Sequence, residues 1–481
     1  MMRFFVIFFF TAFSALAQSP DLVIINASVR TMDRANPKAE AIAIRGGRIS
    51  AVGTTEDIEK LAGENTKTID AQEKLLLPGF NDAHAHIIAI GNTFSSIDLS
   101  DAKTADDVAA KLRRFADFLP KGRWILGSKL DLAVELSLAQ VDAVTPENPV
   151  FVFHTDPKSA LANSLALAAA RIDDKTGIVS ETQLDAIRRV TPQDHTRDLP
   201  AIIETASNYA ASLGITSMQD MHSDDLVAVL RSLDREGRLK TRVYDCVSIT
   251  NWAKLAVVGT KAAEGDAMVR SGCVKGHYDE EDEATASLGK KIAGADSAGM
   301  QVMVHAIGAK ANQVVLGEME KAIKANGPRD RRFRIEHSSG LRPADISRFV
   351  RSKIIPSMQP IIFFSETSGS SDDYRRLFAA GAQIAFGADA PMRGFNPLEG
   401  IYAAVNAGGK RGLTVEEAVY AYTLGAAFAE FQEKEKGSIE AGKLADLVIL
   451  SSDIFAEKAD IRSATVTMTF VNGRLVYENK N

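Results

Sequence analysis

Hydrophobic and polar positions along this chain repeat in two rhythms. Near the start, "DLVIINASVRTMD", "AIAIRGGRISAVG" and "KTIDAQEKLLLPGF" are short β-type runs broken by Gly and polar turns, which predicts a small antiparallel sheet. The far end is of the same kind: "GKLADLVILSSD", then "TVTMTFVNGRLVYE" with an Asn472-Gly473 hairpin signal. The two ends are expected to fold together as one β-domain, residues 18–76 with 435–481. Between them strand-like and helix-like segments alternate, the mark of βα units around a parallel sheet. Strands are predicted at "LLLPGFNDAHAH", "GITSMQD", "RVYDCVSI", "GCVKGHYD", "QVMVHAIG", "RFRIEHSS", "KIIPSMQ" and "QIAFGAD", as many as a closed β/α barrel needs. Helical patterns such as "ANQVVLGEMEKAIKA" lie between them, and "LTVEEAVYAYTLGAAFAEF" follows the last. Residues 95–209 are too many for one βα connection and carry their own apolar runs, "WILGSK" and "PVFVFH", and a helix-like "NSLALAAARI". The expectation is therefore an α/β protein. A (β/α)8 TIM-type barrel covers residues 77–434, with an insertion between its first two strands and a small β-sandwich domain built from both terminal segments.

Charge and composition narrow the function classes. The net charge of -6, with 25% charged residues of both signs and no long basic run, argues against a nucleic-acid surface. A hydrophobic content of 46% with 15 Pro suits a folded globular chain. The first residues differ in kind: Arg3, an apolar run from Phe4, then Ala15-Leu16-Ala17. That is the pattern of a secretory signal peptide cut near Ala17, so export to the periplasm or medium is expected. The run falls short of a bilayer span and nothing downstream resembles one, so no stable membrane insertion is expected. Cys246 and Cys273 are too few for a disulfide scaffold. They could pair, but two buried thiols is the default reading.

Chemistry enters at "PGFNDAHAH". Side chains at i and i+2 of a strand share a face, so His84 and His86 converge on one point, an arrangement that suits a metal ion. Lys275 in "GCVKGHYD", His305 in "VMVHAIG", His337 in "FRIEHSS" and Asp389 in "AFGADAP" each fall at the C-terminal end of a predicted strand. In β/α barrels that end gathers the catalytic groups. All six residues then face one mouth, and the histidine pair is half of a site completed from across the barrel.

The set "PGFNDAHAH", "CVKGH", "VMVHAIG", "RIEH", "FGADAP" and "GSIEAGKLADLVIL" resembles the amidohydrolase superfamily over nearly the whole chain after the signal segment. More narrowly it is similar to amidohydrolase family 3, the branch of YtcJ-like hydrolases and N-substituted formamide deformylases. The resemblance implies that His84, His86 and Asp389 hold the more buried of two divalent metals and His305 and His337 the second. Lys275, carboxylated by CO2, would bridge them. A free ammonium would repel two dications, whereas a carbamate supplies two anionic oxygens, and desolvation favours the neutral amine that reacts with CO2. Donors of N and O without thiolate suit Zn2+ first, with Mn2+, Fe2+ or Co2+ as alternatives. The implied reaction is hydrolysis of an amide-type C–N bond in an N-acyl or N-formyl amine. A metal-activated water attacks and Asp389 acts as general base and then acid.

Other readings stand beside these. Lys275 could instead pair with Asp279 or Glu280 as an ordinary ion pair. Asp220 and His222 lie just past the second strand end and His277 shares the parity of Lys275, so all three are candidate substrate contacts; a surface histidine is the alternative for His222. Cys273, by the same parity, faces the barrel interior as packing. His154 and His195 read as solvated or structural, and the acidic run from Asp279 to Glu283 as a solvated loop or helix start. Three departures from the family pattern bear on the substrate, a small molecule of undefined identity. "GHYDEEDEATASL" replaces a longer segment, Ala309 stands in "HAIGAKA" where relatives often carry an acid, and Lys158 precedes Asn163 where a histidine is common. Lys158 and Asn163 thereby become candidate substrate contacts, Lys158 for an anionic group. A metal-dependent lactonase or ester hydrolase and a non-catalytic metal-binding relative are the rival functions, and a homo-oligomer is compatible with all of them.

Overall fold

A computed structural model describes residues 19–480 other than 181, 193–197, 223–224, 280–284, 365–372 and 408–411. The expected signal segment, His195 and the acidic run beyond Asp279 lie outside the described residues. Eight parallel strands form the central sheet: β1 Phe80–Ala85, β2 Ile215–Asp220, β3 Arg242–Ser248, β4 Val269–Tyr278, β5 Gln301–Ile307, β6 Arg334–Ser339, β7 Ile355–Met358 and β8 Ala385–Phe386. They pair in chain order from β1 to β8. The ring closes where Asp389 N–H donates to the His84 carbonyl at 2.7 Å, beside a parallel bridge from Ala85 to Ala390. This is the TIM-type barrel expected from the alternating pattern.

Strand alternation divides the core into two layers. Outward-facing Val243, Val247, Val274, Val302, Val304 and Ile335 pack under the helices in one large cluster. Each such side chain contributes about 1.5–3 kcal/mol when fully buried. Helix Ala309–Asn326 shows why the helices cover that layer: Ala311, Val315, Met319 and Ala322 recur at helical spacing and are buried on one face. Inward-facing Tyr244, Cys246, Cys273 and Met303 form a separate cluster with Met221. Here the default reading of the cysteines is corrected. Cys246 and Cys273 are direct register partners on β3 and β4, with Cα atoms 4.7 Å apart, and they form a disulfide.

Below this layer the barrel floor is polar. Glu430, from the segment after the last barrel helix, accepts from Asn81 at 2.6 Å and pairs with Lys436 at 2.8 Å and with Arg270. All of these groups are buried, so the charges are compensated within the cluster.

The run expected as one long first strand is two. Leu75–Pro78 pairs antiparallel with Leu447–Leu450 in a six-stranded sheet shared by both ends of the chain. Gly79 N–H donates to the Asp446 carbonyl at 2.8 Å, and only then does the chain enter the barrel at Phe80. A continuous apolar run does not reveal that it serves two sheets. A four-stranded sheet of Leu22–Ile25, Ala41–Arg45, Arg48–Gly53 and Lys67–Asp70 lies alongside in the same core cluster. Asn472 and Gly473 have φ of 52° and 68° between paired strands Val466–Val471 and Arg474–Glu478, the positive pair that a two-residue hairpin requires.

Between β1 and β2 lies a five-stranded mixed sheet spanning Ile97–Asp98 to Ile178–Ser180. Helix Leu199–Ser212, placed within the insertion by the sequence reading, belongs to the barrel: Ile203, Ala206 and Ala210 join the main core cluster just before β2. Among the described residues no helix is long and apolar enough to cross a membrane.

Candidate metal centre

The mouth of the barrel is built first by β1. His84 is buried and His86, just past the strand end, is about one-third exposed. Nε2 of His86 lies 2.9 Å, and Nε2 of His84 3.5 Å, from the same Oδ1 of Asp389. The two imidazoles therefore meet at one carboxylate. Asp82 fixes the strand beneath them: its Oδ1 accepts from His84 N–H at 3.0 Å and from Ala388 N–H at 3.2 Å, lacing β1 to the end of β8. The backbones come so close that a Cβ on Gly387 would stand 2.4 Å from His84 N and 2.8 Å from Asp82 Oδ1. Glycine is required there by space alone. Burial pushes the Asp82 carboxyl up to about 7, only partly offset by the two N–H donors.

On β6 the parity changes. Arg334 and Glu336 point inward, so His337 should point outward. Instead φ is +71° at His337 and +46° at Ser338, and the register with β5 slips between Ala306 and Ile307. The irregularity turns His337 into the mouth. Its ring centroid lies 5.1 Å from that of His84 and 4.3 Å from that of His305. Among the described residues its buried Nδ1 has no hydrogen-bond partner, as a nitrogen reserved for a ligand would.

Glu336, missed by the sequence reading, orients the centre from below. Its Oε2 lies 2.8 Å from Nδ1 of His84, while its Oε1 accepts from Arg334 Nε at 2.8 Å. Arg334 also donates to Ser357 Oγ at 2.9 Å and to the Ala83 carbonyl. Burial would raise the Glu336 carboxyl, but Arg334 and the His84 hydrogen bond together hold it well below the usual range. An ionised carboxylate only accepts, so Nδ1 of His84 carries the proton and Nε2 keeps its lone pair toward the mouth. The signal was present in "RIEH": an Arg and a Glu at inward strand positions must pair to be buried.

Lys275 on β4 is half-buried, with Nζ 3.3 Å from His84 Nε2. Burial brings its amine down to about 8, against the opposing pull of Glu336 and Asp389. Burial, and then Lys275, lowers His84 to about 4; burial, then neighbouring His277, does the same to His305. Asp389 is held down to about 2: desolvation would raise it, but the His86 hydrogen bond and the nearby imidazoles outweigh that. At neutral pH the imidazoles of His84 and His305 are thus neutral beside the ionised Asp389 carboxylate, a donor set that fits a divalent cation. The ligand atoms of His84, His337 and Asp389 lie within 4.8 Å of one another, as do those of His277, Asp279 and His305.

His84, His86, Lys275, His305, His337 and Asp389 line a cavity of about 820 Å³ whose wall includes Met221, Ile249, Leu288 and Met392. The candidate substrate contacts divide. His222 and His277 line the cavity. Asp220 sits behind it, its Oδ1 accepting from Ile87 N–H at 2.7 Å and so fixing where the chain leaves His86. Lys158 is exposed in a turn closed by Asp156 and does not line the cavity. Asn163 caps helix Ser164–Ala169, and its amide is fully engaged: Oδ1 accepts from Val150 and Ala166 N–H at 2.9 and 3.0 Å, and Nδ2 donates to the Asn148 carbonyl at 2.9 Å. The position is structural, as is that of His154, whose Nδ1 lies 3.0 Å from Ser159 Oγ within the insertion.

A closed β/α barrel whose strand ends converge histidines and an aspartate on one mouth defines the class: a hydrolase of the divalent-metal type. The amidohydrolase family pattern matches residues 67–477, and the chain belongs to that family. It is 28% identical to protein LONG AFTER FAR-RED 3 of Arabidopsis thaliana, covering 95% of this chain and 91% of that one. It is 25% identical to the N-substituted formamide deformylase of Arthrobacter pascens, over 96% and 99%. Among solved structures, an uncharacterized metal-dependent hydrolase from Pyrococcus furiosus superposes with a TM-score of 0.64 at 25% identity, covering 90% of this chain and 99% of that one. A zinc-bound adenosine deaminase from Xanthomonas campestris shares the fold, with a TM-score of 0.57 at 16% identity over 95% and 93%.

Proposed function

We propose that this protein is an exported enzyme that hydrolyses the amide-type C–N bond of a small N-acyl or N-formyl amine. The observation that carries the reading is the meeting of His84 and His86 on one ionised Asp389 oxygen, with His337 and a half-buried Lys275 of lowered pKa around them. His84, His86 and Asp389 would hold the inner of two divalent ions, Zn2+ first by ligand type, and His305 and His337 the outer. When bound, the metals supply Lewis acidity toward the substrate carbonyl and toward water.

The remaining chemistry belongs to the side chains. The neutral Nζ of Lys275 would add to CO2, releasing one proton to solvent, and the resulting carbamate would offer anionic oxygens as metal ligands where an ammonium could not. Asp389 takes the proton of the attacking water and returns it to the departing nitrogen, which leaves as a neutral amine. Glu336 keeps the His84 tautomer fixed throughout. The apolar wall restricts water and accepts the body of the substrate. Resemblance along the full length to a formamide deformylase supports the C–N bond, and the signal-type segment with the Cys246–Cys273 disulfide supports an oxidising compartment.

The test joins metal analysis of purified protein to a panel of N-formyl amines, N-acyl amines and lactones. Stoichiometric divalent metal and turnover of amides are expected, with a loss of about 10²–10⁴-fold or more in Asp389→Asn. Protein without stoichiometric metal, or hydrolysis of lactones alone, would sink the proposal.

A further inference from the structure

The second histidine cluster shares His305 with that mechanism, but His277 and Asp279 have no part in it. His277 lies two residues beyond Lys275 on β4 and is the direct register partner of His305 on β5. The two rings stack with centroids 4.2 Å apart and planes 23° apart. One carboxylate spans both: Asp279 Oδ2 is 3.5 Å from His277 Nε2, and Oδ1 is 3.5 Å from His305 Nε2. Two ligands on one tetrahedral zinc, each about 2.1 Å from the ion, stand about 3.4 Å apart. The cluster already has that spacing between its nitrogens and oxygens. The residues sit at the cavity rim, with side-chain exposures of 59% for His277, 51% for Asp279 and 17% for His305.

We propose that His277, Asp279 and His305 form a rim site for an additional divalent transition-metal ion, of the Zn2+, Cu2+ or Ni2+ type that imidazole and carboxylate prefer. Solvent completes the coordination around the three side chains. The site is open to water, so its ion exchanges freely and binds more weakly than a buried pair. His305 belongs to both places: its ring centroid is 4.3 Å from that of His337 on one side and 4.2 Å from that of His277 on the other. A single imidazole lone pair serves one ion at a time. Occupancy of the rim therefore draws His305 away from the inner centre, and excess metal restrains the enzyme. This second consequence rests on the reading of the inner centre given above; the rim site itself does not.

The experiment uses metal-loaded full-length protein titrated with Zn2+, with bound ion counted by equilibrium dialysis and elemental analysis. The expected result is two tightly held equivalents and a third, weaker one. In His277→Gln/Asp279→Asn the third equivalent disappears while the tight pair is retained. Saturation of the wild type at two equivalents, or a third equivalent surviving in the double variant, overturns the rim site. Failure of the inner centre looks different: the tight pair is missing from both proteins, whatever the rim does. With the best substrate from the panel, excess Zn2+ should lower wild-type turnover at least tenfold more effectively than that of the double variant. Equal inhibition of the two would refute the sharing of His305.

Discussion

Glu336 Oε2 stands 2.8 Å from His84 Nδ1; both side chains are buried, with His84 lining the cavity and Glu336 behind it. The contact makes one imidazole a directed ligand. Partners of this kind typically contribute 10–100-fold to metal affinity. Glu336→Gln should therefore weaken retention of the inner ion by about that factor, read by competition with a chelating dye. Glu336→Ala should go further and cost about 3–5 kcal/mol of stability, because Arg334 is left as a buried unpaired cation. Unchanged dye competition in both variants would remove Glu336 from the account.

Lys275 offers a test through CO2. An amine titrating near 8 is about one-tenth neutral at pH 7, whereas one at 10.5 would be neutral in only about one molecule in 3,000. Metal uptake by the stripped protein should be slow in CO2-free buffer and speed up with bicarbonate. It should also rise between pH 6 and 8 as the neutral amine accumulates. Labelled bicarbonate should give a carbamate signal by NMR that Lys275→Arg lacks. Uptake indifferent to bicarbonate would mean the lysine stays an amine.

Asp82 gives stability a sign with pH. Its carboxyl is raised from 3.8 to about 7 in the folded chain by burial. Between those values the unfolded chain has released the proton and the native one still holds it, so stability falls as pH climbs from about 4 to about 7. The span amounts to a few kcal/mol. Asp82→Asn should flatten that decline when metal-free protein is unfolded in urea at pH 4.5 and 7.5. Parallel slopes for the two proteins would contradict it.

The Cys246–Cys273 bond closes a loop with a sequence separation of 27 residues. By chain entropy that is worth about 3–4 kcal/mol. Cys246→Ser/Cys273→Ser should lower the urea midpoint accordingly, and reductant should shift the wild type toward it. If reductant leaves the wild-type midpoint unmoved while thiol titration counts two free thiols, the pairing contributes nothing.

Much of this was legible in the sequence because barrels obey period two and place their chemistry at strand ends. His84, His86, Lys275 and His305 follow simple parity, so spacing alone aimed them inward. His337 does not; only the left-handed backbone at His337 and Ser338 brings it round, and no residue type there announces that geometry. Glu336 has no ligand-type spacing of its own; only its buried pairing with Arg334 and its contact with His84 reveal its role. Asn163 and Lys158 were misdirected by their place in a motif: in the fold they sit on the insertion, one capping a helix and the other exposed in a turn. The cysteines looked like separate packing residues because their sequence spacing does not show that β3 and β4 place them opposite each other.

The seam between the first and last barrel strands joins residues 84 and 389 through a main-chain hydrogen bond of 2.7 Å, between two of the candidate metal ligands. Ring closure and active-site assembly are consequently a single event. Until β8 docks, His84 and His86 lack their aspartate and cannot hold an ion with full strength. On the proposed metal-binding role, a chain clipped before β8 would lack Asp389 and hold an ion less tightly than the complete barrel.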